Sequence, residues 1–339
     1  MTHDRNTPRH TSRRRLLRIL AGGLLLSSLH TLQAQDIHFS QIDVNPILFN
    51  PAYSGFFDGT GRLGVIYRNQ WASVSDAFQT VAATAEFSIK KRRYQRDGFN
   101  VGCYLYNDRA GTLQYGSTSG TAILSYFHAL GQNDTYVSVG LEAGYGQAGF
   151  NPSEASLYDP SEGFEQTTVN YPTLGAGVAF FYQPHDMLYI KLGLSGRNLN
   201  RPNISYLGLD DTYLEPKMNG YLRAEYRGWP SWSVLPLLAC QLQHNNTEII
   251  TGCDAKWYLS EGTSGTTALS AGAYYRWADA AYLLFTLEHN AFIYMLNYDS
   301  NLSKLTPASK SIGAFELGVV YRINKNKKVV RKVMPCPIM

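Results

Sequence analysis

The chain has 339 residues, of which 44% are hydrophobic and 17% are charged, and it carries 24 tyrosines. Residues 1–34 hold six of the 30 basic residues and one of the 26 acidic residues, so the rest of the chain has 24 basic and 25 acidic residues and a formal charge of −1. This balance gives no general support for nucleic-acid binding, which needs a basic surface.

Residues 1–34 have the three parts of a secretory signal peptide. Arginines at 13–15 form the positive end, the apolar stretch covers 16–29, and Leu32-Gln33-Ala34 precedes the expected cut. The arginines also resemble a twin-arginine signal, but that pathway carries folded cargo, whereas a membrane barrel must cross the inner membrane unfolded. We therefore expect a cleaved leader of the ordinary secretory kind.

Residues 35–60 do not alternate as a strand does. They are rich in asparagine, proline and aromatic residues. In Asn45-Pro46 and Asn50-Pro51, each proline fixes its own φ and holds the asparagine before it extended. We expect a short irregular segment, periplasmic or plug-like, that its aromatic residues anchor at the periplasmic mouth or against the wall of a lumen.

From Arg62 to Ile323 the chain alternates apolar and polar residues with the period of two that is typical of strands. The strands are predicted near 61–72, 77–90, 97–108, 114–129, 133–149, 171–183, 186–199, 216–228, 232–243, 247–259, 266–277, 280–289, 291–299 and 311–323. A soluble sandwich also alternates, but few sandwiches sustain the pattern so long with so many tyrosines. The prediction is an all-β fold: a single transmembrane outer-membrane β-barrel of about 14 antiparallel strands over 61–323.

The lengths of the connections agree with this topology. The three longest, 150–170, 200–215 and 300–310, all follow odd-numbered strands and so lie on one side. Outer-membrane barrels have short periplasmic turns and longer surface loops. We therefore expect the long loops outside and both termini of the mature chain in the periplasm.

The alternation turns charged side chains toward the lumen, because a charge facing lipid costs roughly 2–4 kcal/mol near the membrane centre. These residues are Arg62, Arg68, Glu86, Lys90, Glu142, Lys191, Arg197, Arg223, Glu225, Arg227, Asp254, Lys256, Arg276, Glu288 and Glu316. Both signs occur in similar numbers. This mixture predicts paired networks that stiffen and partly plug the interior, rather than a selectivity ring of one sign.

Motifs for catalysis or metal binding are missing from the sequence. Cys103, Cys240, Cys253 and Cys336 show no CxxC spacing, and there is no GxSxG, HExxH or P-loop. Cys240 and Cys253 flank one predicted hairpin, so a disulfide between them stays an alternative. We expect no enzyme, no cofactor and no metal.

Residues 324–339 follow the last predicted strand as a basic tail. Its cations are Lys325, Lys327, Lys328, Arg331 and Lys332. Such a run is either a solvated tail or a docking strip for an acidic partner.

Several separated motifs resemble those of one known family. They are Phe39-Ser40-Gln41, Asn45-Pro46, Phe49-Asn50-Pro51-Ala52-Tyr53-Ser54-Gly55, Tyr67-Arg68-Asn69-Gln70-Trp71, Ala271-Gly272-Ala273-Tyr274-Tyr275-Arg276-Trp277, Tyr298-Asp299-x-Asn301, Gly313-Ala314-Phe315-Glu316-Leu317 and Pro335-Cys336-Pro337. In this order they resemble the PorP/SprF family of outer-membrane proteins from the type IX secretion and gliding machinery of Bacteroidota.

The resemblance implies a non-enzymatic component that assists the export or surface attachment of a specific large secreted protein, such as an adhesin. Its partners would be other secretion components, the C-terminal domain of the exported protein, and outer-membrane lipid. The motif residues that we single out are Asn45, Pro46, Asn50, Pro51, Ala52, Tyr53, Gly55, Arg68, Gln70, Trp71, Tyr298, Asp299, Asn301 and Cys336. Among them, Arg68 and Gln70 are expected to point inward and bond neighbouring strands or the outward loops.

Two other functions stay open. An outer-membrane diffusion channel or fatty-acid-type transporter also forms barrels of this size, with an amino-terminal plug and an Asn-Pro-Ala box as at Asn50-Pro51-Ala52. Such a transporter needs a continuous apolar pocket, which the inward charges disfavour. An outer-membrane lipid hydrolase would need a Ser/His pair at one rim, and the sequence offers no candidate.

Overall fold

The computed structural model describes residues 37, 39–57, 59–70, 78–89, 97–111, 114–131, 134–151, 167–206, 212–262, 265–302 and 312–323. The strands in this part of the chain are β1 Gly61–Gln70, β2 Phe78–Ser88, β3 Asp97–Ala110, β4 Tyr115–Ala129, β5 Asp134–Gly149, β6 Thr168–His185, β7 Leu188–Arg197, β8 Lys217–Trp229, β9 Trp232–Gln243, β10 Asn246–Gly262, β11 Gly265–Arg276, β12 Ala280–His289, β13 Phe292–Asn301 and β14 Ile312–Ile323. Each pairs antiparallel with its neighbours in sequence, and β1 pairs with β14. The predicted barrel of about 14 strands is confirmed.

The two faces of the sheet differ as the alternation requires. In β5, the exposed Val139 and Leu141 alternate with the buried Ser138, Gly140 and Glu142. A closed sheet pairs its backbone groups internally, so its outer face can be apolar and lie in lipid. Of the residues predicted to face the lumen, the buried ones are Arg62, Arg68, Glu86, Glu142, Arg197, Arg223, Glu225, Asp254, Lys256, Arg276, Glu288 and Glu316. Lys191 is largely buried, Arg227 is partly exposed near a turn, and Lys90 lies outside the described residues.

The barrel has two unlike rims. The terminal rim carries the start of β1 and the end of β14, where Gly61 pairs with Ile323, and it has short turns such as 186–187 and 230–231. The long-loop rim carries the connections 150–167, 198–216 and 302–311. All the longest connections therefore lie opposite the start of β1, as the sequence predicted.

One side of the long-loop rim is raised. β6 begins pairing with β7 only at Ala176, so the first eight residues of β6 rise beyond the end of β7. The β7–β8 connection covers this edge: Leu199 N–H donates to the Leu174 carbonyl at 2.9 Å, and Asn200 Oδ1 accepts from Leu174 N–H at 2.9 Å. Inside the rim, Ile204 from the same connection packs in a small buried cluster with Tyr171.

Two strands, β6 and β10, extend furthest beyond their predicted bounds. β6 starts at Thr168 rather than 171, so it includes Pro172, whose missing N–H costs nothing in the raised part where β7 is absent. β10 continues to Gly262 because a register shift between Tyr258 and Ser260 lets pairing with β11 resume after an irregularity.

Cys103, Cys240 and Cys253 are free thiols. The register pairs Cys240 with Ile249 and Cys253 with Pro236, so the disulfide considered for this hairpin does not form. Several predictions fall on residues outside the described part of the chain, namely the leader 1–34, Trp71, Cys336 and the tail cations, and they stay predictions.

Candidate functional site: the plug and its anchors

The irregular segment 37–57 lies inside the barrel and is called the plug below. Its described residues from 39 onward are all buried, and it contains two 3-10 turns, Pro46–Leu48 and Pro51–Tyr53, each with proline in the first turn. The Asn50 side chain caps the second turn by accepting from Ala52 N–H at 2.8 Å. Neither of these described helices is long enough to cross a membrane.

The plug runs the length of the lumen. At its amino end, the Ile37 carbonyl accepts a hydrogen bond from Lys217, the first residue of β8, at the long-loop rim. At its other end, Phe56 stacks on Phe181 with ring centroids 3.5 Å apart and meets Phe127 at 5.3 Å, near the terminal rim. Strands β1 to β8 and β11 to β14 each contact this segment.

The amino end of the plug is held by a buried ionic group, the mouth cluster: Ser40, Arg68, Arg276, Asp299 and Glu316. Ser40 is its centre. The Ser40 hydroxyl accepts from Arg68 at 3.0 Å and from Arg276, and it donates to Asp299 at 3.1 Å. The backbone N–H groups of Ser40 and Gln41 donate to the two carboxylate oxygens of Glu316, at 2.9 and 3.1 Å.

The charges of the mouth cluster balance. Arg68 pairs with Glu316, and Arg276 pairs with Asp299 at 3.3 Å. These four side chains are each at most 2% exposed. Buried charges are tolerated when they are paired and hydrogen-bonded, and removing one partner leaves an uncompensated charge. The cluster is therefore an anchor whose members depend on one another.

The mouth cluster joins the sequence segments that carry the family resemblance. Motifs 39–41, 67–71, 271–277, 298–301 and 313–317 each supply one of its residues. Gln70 supports it by accepting from Arg68 at 3.1 Å, as the inward prediction for Arg68 and Gln70 requires. Asn301 is buried nearby in β13, whereas Tyr298 is 51% exposed on the outer face and takes no part.

The Asn-Pro-Ala-Tyr motif fits a niche of glycines. Asn50 Nδ2 donates to the carbonyls of Val178 at 3.0 Å and Leu194 at 3.2 Å, on adjacent strands. A Cβ atom on Gly140 would lie 2.4 Å from Ala52 N, and a Cβ on Gly177 would lie 2.1 Å from Asn50 Oδ1. The wall thus approaches the plug backbone more closely than any side chain would allow.

Gly55 shapes the carboxyl end of the plug through its backbone conformation. Its φ is +84°, a left-handed conformation that favours glycine, and its N–H donates to Glu86 at 3.2 Å. Asn45 accepts from Thr84 at 2.8 Å, and Pro46 and Tyr53 are buried in the adjoining turns. The structure therefore brings the amino-terminal motif residues together against the inner wall.

A second ionic anchor holds the middle of the plug on the other side of the barrel. Asp43 accepts from Tyr221 and Lys191, the latter at 3.4 Å, and lies 3.7 Å from Arg223. Sequence reasoning missed Asp43 and Ser40 as site residues. The available signals were an acid between the apolar Ile42 and Val44, and a serine inside a quoted motif.

The charged side chains of the mouth cluster are engaged with one another. The cluster contains no histidine, and its carboxylates are already paired with arginines. Among the described residues, no group of three or more His, Cys, Asp or Glu side chains is placed to hold a metal ion.

Replacing Phe56 by alanine is expected to lower the free energy of unfolding by about 3–5 kcal/mol, because it empties an aromatic site between Phe127 and Phe181. Denaturant unfolding of the refolded protein measures this. Tyr213, which is 41% exposed and meets Arg201 through a cation–π contact, is the control: its change to alanine is expected to cost about 1 kcal/mol or less. Equal losses at both positions would contradict tight packing of the plug.

Several solved outer-membrane proteins resemble the chain in fold. The toluene transporter TodX of Pseudomonas putida is 10% identical with a TM-score of 0.48, over 85% of this chain and 95% of that one. A FadL homologue of Pseudomonas aeruginosa is 10% identical with a TM-score of 0.48, over 81% and 93%. The KdgM porin bound to oligogalacturonate is 8% identical with a TM-score of 0.39, over 78% and 99%. At these identities the likeness concerns architecture alone.

No curated protein sequence matches the chain. A family model does: the one described as type IX secretion system membrane protein PorP/SprF matches residues 31–321. The match covers the plug, strands β1 to β13, β14 as far as Tyr321, and the residues of the mouth cluster. The chain therefore belongs to the PorP/SprF family of type IX secretion system membrane proteins.

Proposed function

We propose that this outer-membrane barrel is a plugged scaffold that assists the export or surface attachment of a large secreted protein such as an adhesin. The observation that carries the proposal is the plug itself, which contacts most of the wall and is held by two buried ionic anchors. In a barrel filled in this way, partners bind at the two rims rather than pass through a pore.

The long-loop rim is the proposed surface for the exported protein, and it faces the cell exterior. Its long connections support this orientation, because barrels of this kind carry longer loops outside. The raised β5–β6 hairpin and the β7–β8 connection make this rim uneven in height. In the β7–β8 connection Tyr213 is exposed, and Arg201 pairs with Glu215 at 2.5 Å. Residues 151–170 and 201–216 carry no family motif, which suits a role in partner specificity.

The terminal rim is then periplasmic and is the proposed side for the secretion apparatus. The tail residues Lys325, Lys327, Lys328, Arg331 and Lys332 follow β14 at this rim and are proposed to bind an acidic surface of that apparatus.

Site-directed photocrosslinking in living cells tests this division of roles. A photoreactive residue at Asn151 is expected to capture the exported protein, and one at Lys328 to capture a component of the secretion apparatus. Leu141, on the lipid-facing side of β5, is the matched control and is expected to capture neither. Recovery of the same partner from Asn151 and Lys328, or of none from either, would count against the proposal.

A diffusion channel or fatty-acid-type transporter is the alternative. It requires a continuous apolar path, which the buried ion pairs of the lumen disfavour, such as Arg62 with Glu86 and Lys256 with Glu288. The conductance experiment in the Discussion separates these functions.

A further inference from the structure

The plug begins at the long-loop rim of the barrel and continues into β1 at the terminal rim. Its carboxyl end is at the terminal rim, where Thr60 N–H donates to the Ile323 carbonyl at 2.8 Å and the Phe57 ring lies under Arg62, 5.4 Å from its guanidinium carbon. Its amino end is at the long-loop rim, where Lys217 holds Ile37 and Arg276 holds Ser40. Lys217 and Arg276 lie at the long-loop ends of β8 and β11.

The chain is long enough for one crossing. Residues 37 to 57 span at most about 70 Å when extended. The apolar band of such barrels is about 25 Å tall, so a single passage leaves room for the two compact turns at Pro46–Leu48 and Pro51–Tyr53. The two ends of the plug are separated along the lumen, with Ser40 near the long-loop rim and Phe56 near the terminal rim. Between them the descent is not even, because the Phe49 carbonyl accepts from Ser195 and Asn219, which lie near the long-loop ends of β7 and β8.

We infer that the amino end of the plug opens on the cell surface, so that the two ends of the barrel domain lie on opposite faces of the outer membrane. The inference rests on the orientation given above, with the long loops outside. It replaces the expectation that both termini are periplasmic. If the leader is cut after Ala34, as the sequence predicts, only Gln35 and Asp36 precede Ile37 in the mature chain.

The seam of the barrel supports this path. Arg68 of β1 and Glu316 of β14 are direct partners across the closing strand pair, and both bond Ser40. A plug bonded to both sides of the seam fits a barrel that closes around a segment already in place.

Epitope accessibility on intact cells tests the inference. One tag is inserted directly before Ile37, a second in the long connection between 152 and 166, and a third in the turn 186–187 at the terminal rim. Antibody binding to intact cells is expected at the first two tags, at the level seen after permeabilisation. Binding at 186–187 is expected only after permeabilisation. Heat-dependent gel mobility identifies the tagged proteins that have folded.

The outcomes separate the inference from the orientation. If the 152–166 tag is labelled on intact cells and the tag before Ile37 is not, the inference is overturned while the orientation stands. If only the 186–187 tag is labelled, the orientation itself fails. Should the amino-terminal tag prevent folding, an Ile37→Cys variant in a cysteine-free background, probed with a membrane-impermeant maleimide, gives the same reading, and its absence of labelling beside a labelled loop overturns the inference.

Discussion

Replacing Glu316 by alanine is expected to destabilise the folded barrel by about 3–5 kcal/mol, because it removes one partner of a buried ion pair. Arg68, which is 2% exposed, loses its direct cross-strand partner. The N–H groups of Ser40 and Gln41 lose their acceptor at the same time. Equilibrium unfolding in denaturant, with the protein refolded into lipid or detergent, measures the change.

Two further variants make this result specific. Glu261→Ala removes an exposed partner of Arg227, 2.6 Å away, and is expected to cost about 1 kcal/mol or less. Glu316→Gln keeps the size of the side chain and two polar atoms but loses the charge, so its cost is expected to lie between the two. If Glu316→Ala and Glu261→Ala destabilise the protein equally, the mouth cluster is not the anchor described here.

The barrel could be predicted because one physical constraint acts on every strand. Each residue faces either lipid or the lumen, so alternation alone assigns Leu141 to the outside and Glu142 to the inside. The sorting of long and short connections adds a second, independent signal. Boundaries were less predictable, since the irregularity at Tyr258 and the raised start of β6 depend on the neighbouring strand.

The anchors of the plug could not be predicted in the same way. That Arg68 faces inward follows from alternation, but that it meets Ser40 depends on barrel closure, which brings residue 68 beside residue 316. The same holds for Asp43, whose partners Tyr221 and Arg223 lie far along the chain. The family motifs pointed to several of these residues without showing that they form one cluster.

This clustering also changes how the motifs are understood. Considered separately, Asn50-Pro51-Ala52 suggests a turn and Tyr298-Asp299 suggests a strand end. Together, the amino-terminal motifs form the plug, and the later motifs supply the residues of the barrel wall that bind it. Much of the family resemblance therefore concerns how the lumen is closed. Regions without motifs, such as 151–170, remain at the long-loop rim, where partners are expected to bind.

Replacing Gly140 by valine is expected to open a conducting path through the barrel. The wild-type protein is expected to show no steady conductance in planar bilayers, because the plug is packed against the wall on most sides. The three atoms nearest to a Cβ added at position 140 are all backbone atoms of the plug, with Ala52 N and the Pro51 carbonyl carbon both at 2.4 Å. Backbone atoms cannot rotate out of the way as the end of a flexible side chain can, so the Pro51–Tyr53 turn must shift and the plug is expected to be displaced from the wall.

Gly220→Val is the matched control, since the new Cβ faces the outside of β8 and would meet only Leu194 within 4 Å, at 3.6 Å. This variant is expected to show no steady conductance in the bilayer. Gly177→Val, which collides with Asn50 from the next strand, is expected to conduct as Gly140→Val does. A wild-type protein that conducts as strongly as either wall variant would favour the channel alternative. If the Gly140→Val protein shows the gel mobility of a folded barrel but no conductance, the wall rather than the plug has moved to accommodate the new side chain. The glycine niche would then lose its proposed role in keeping the lumen closed.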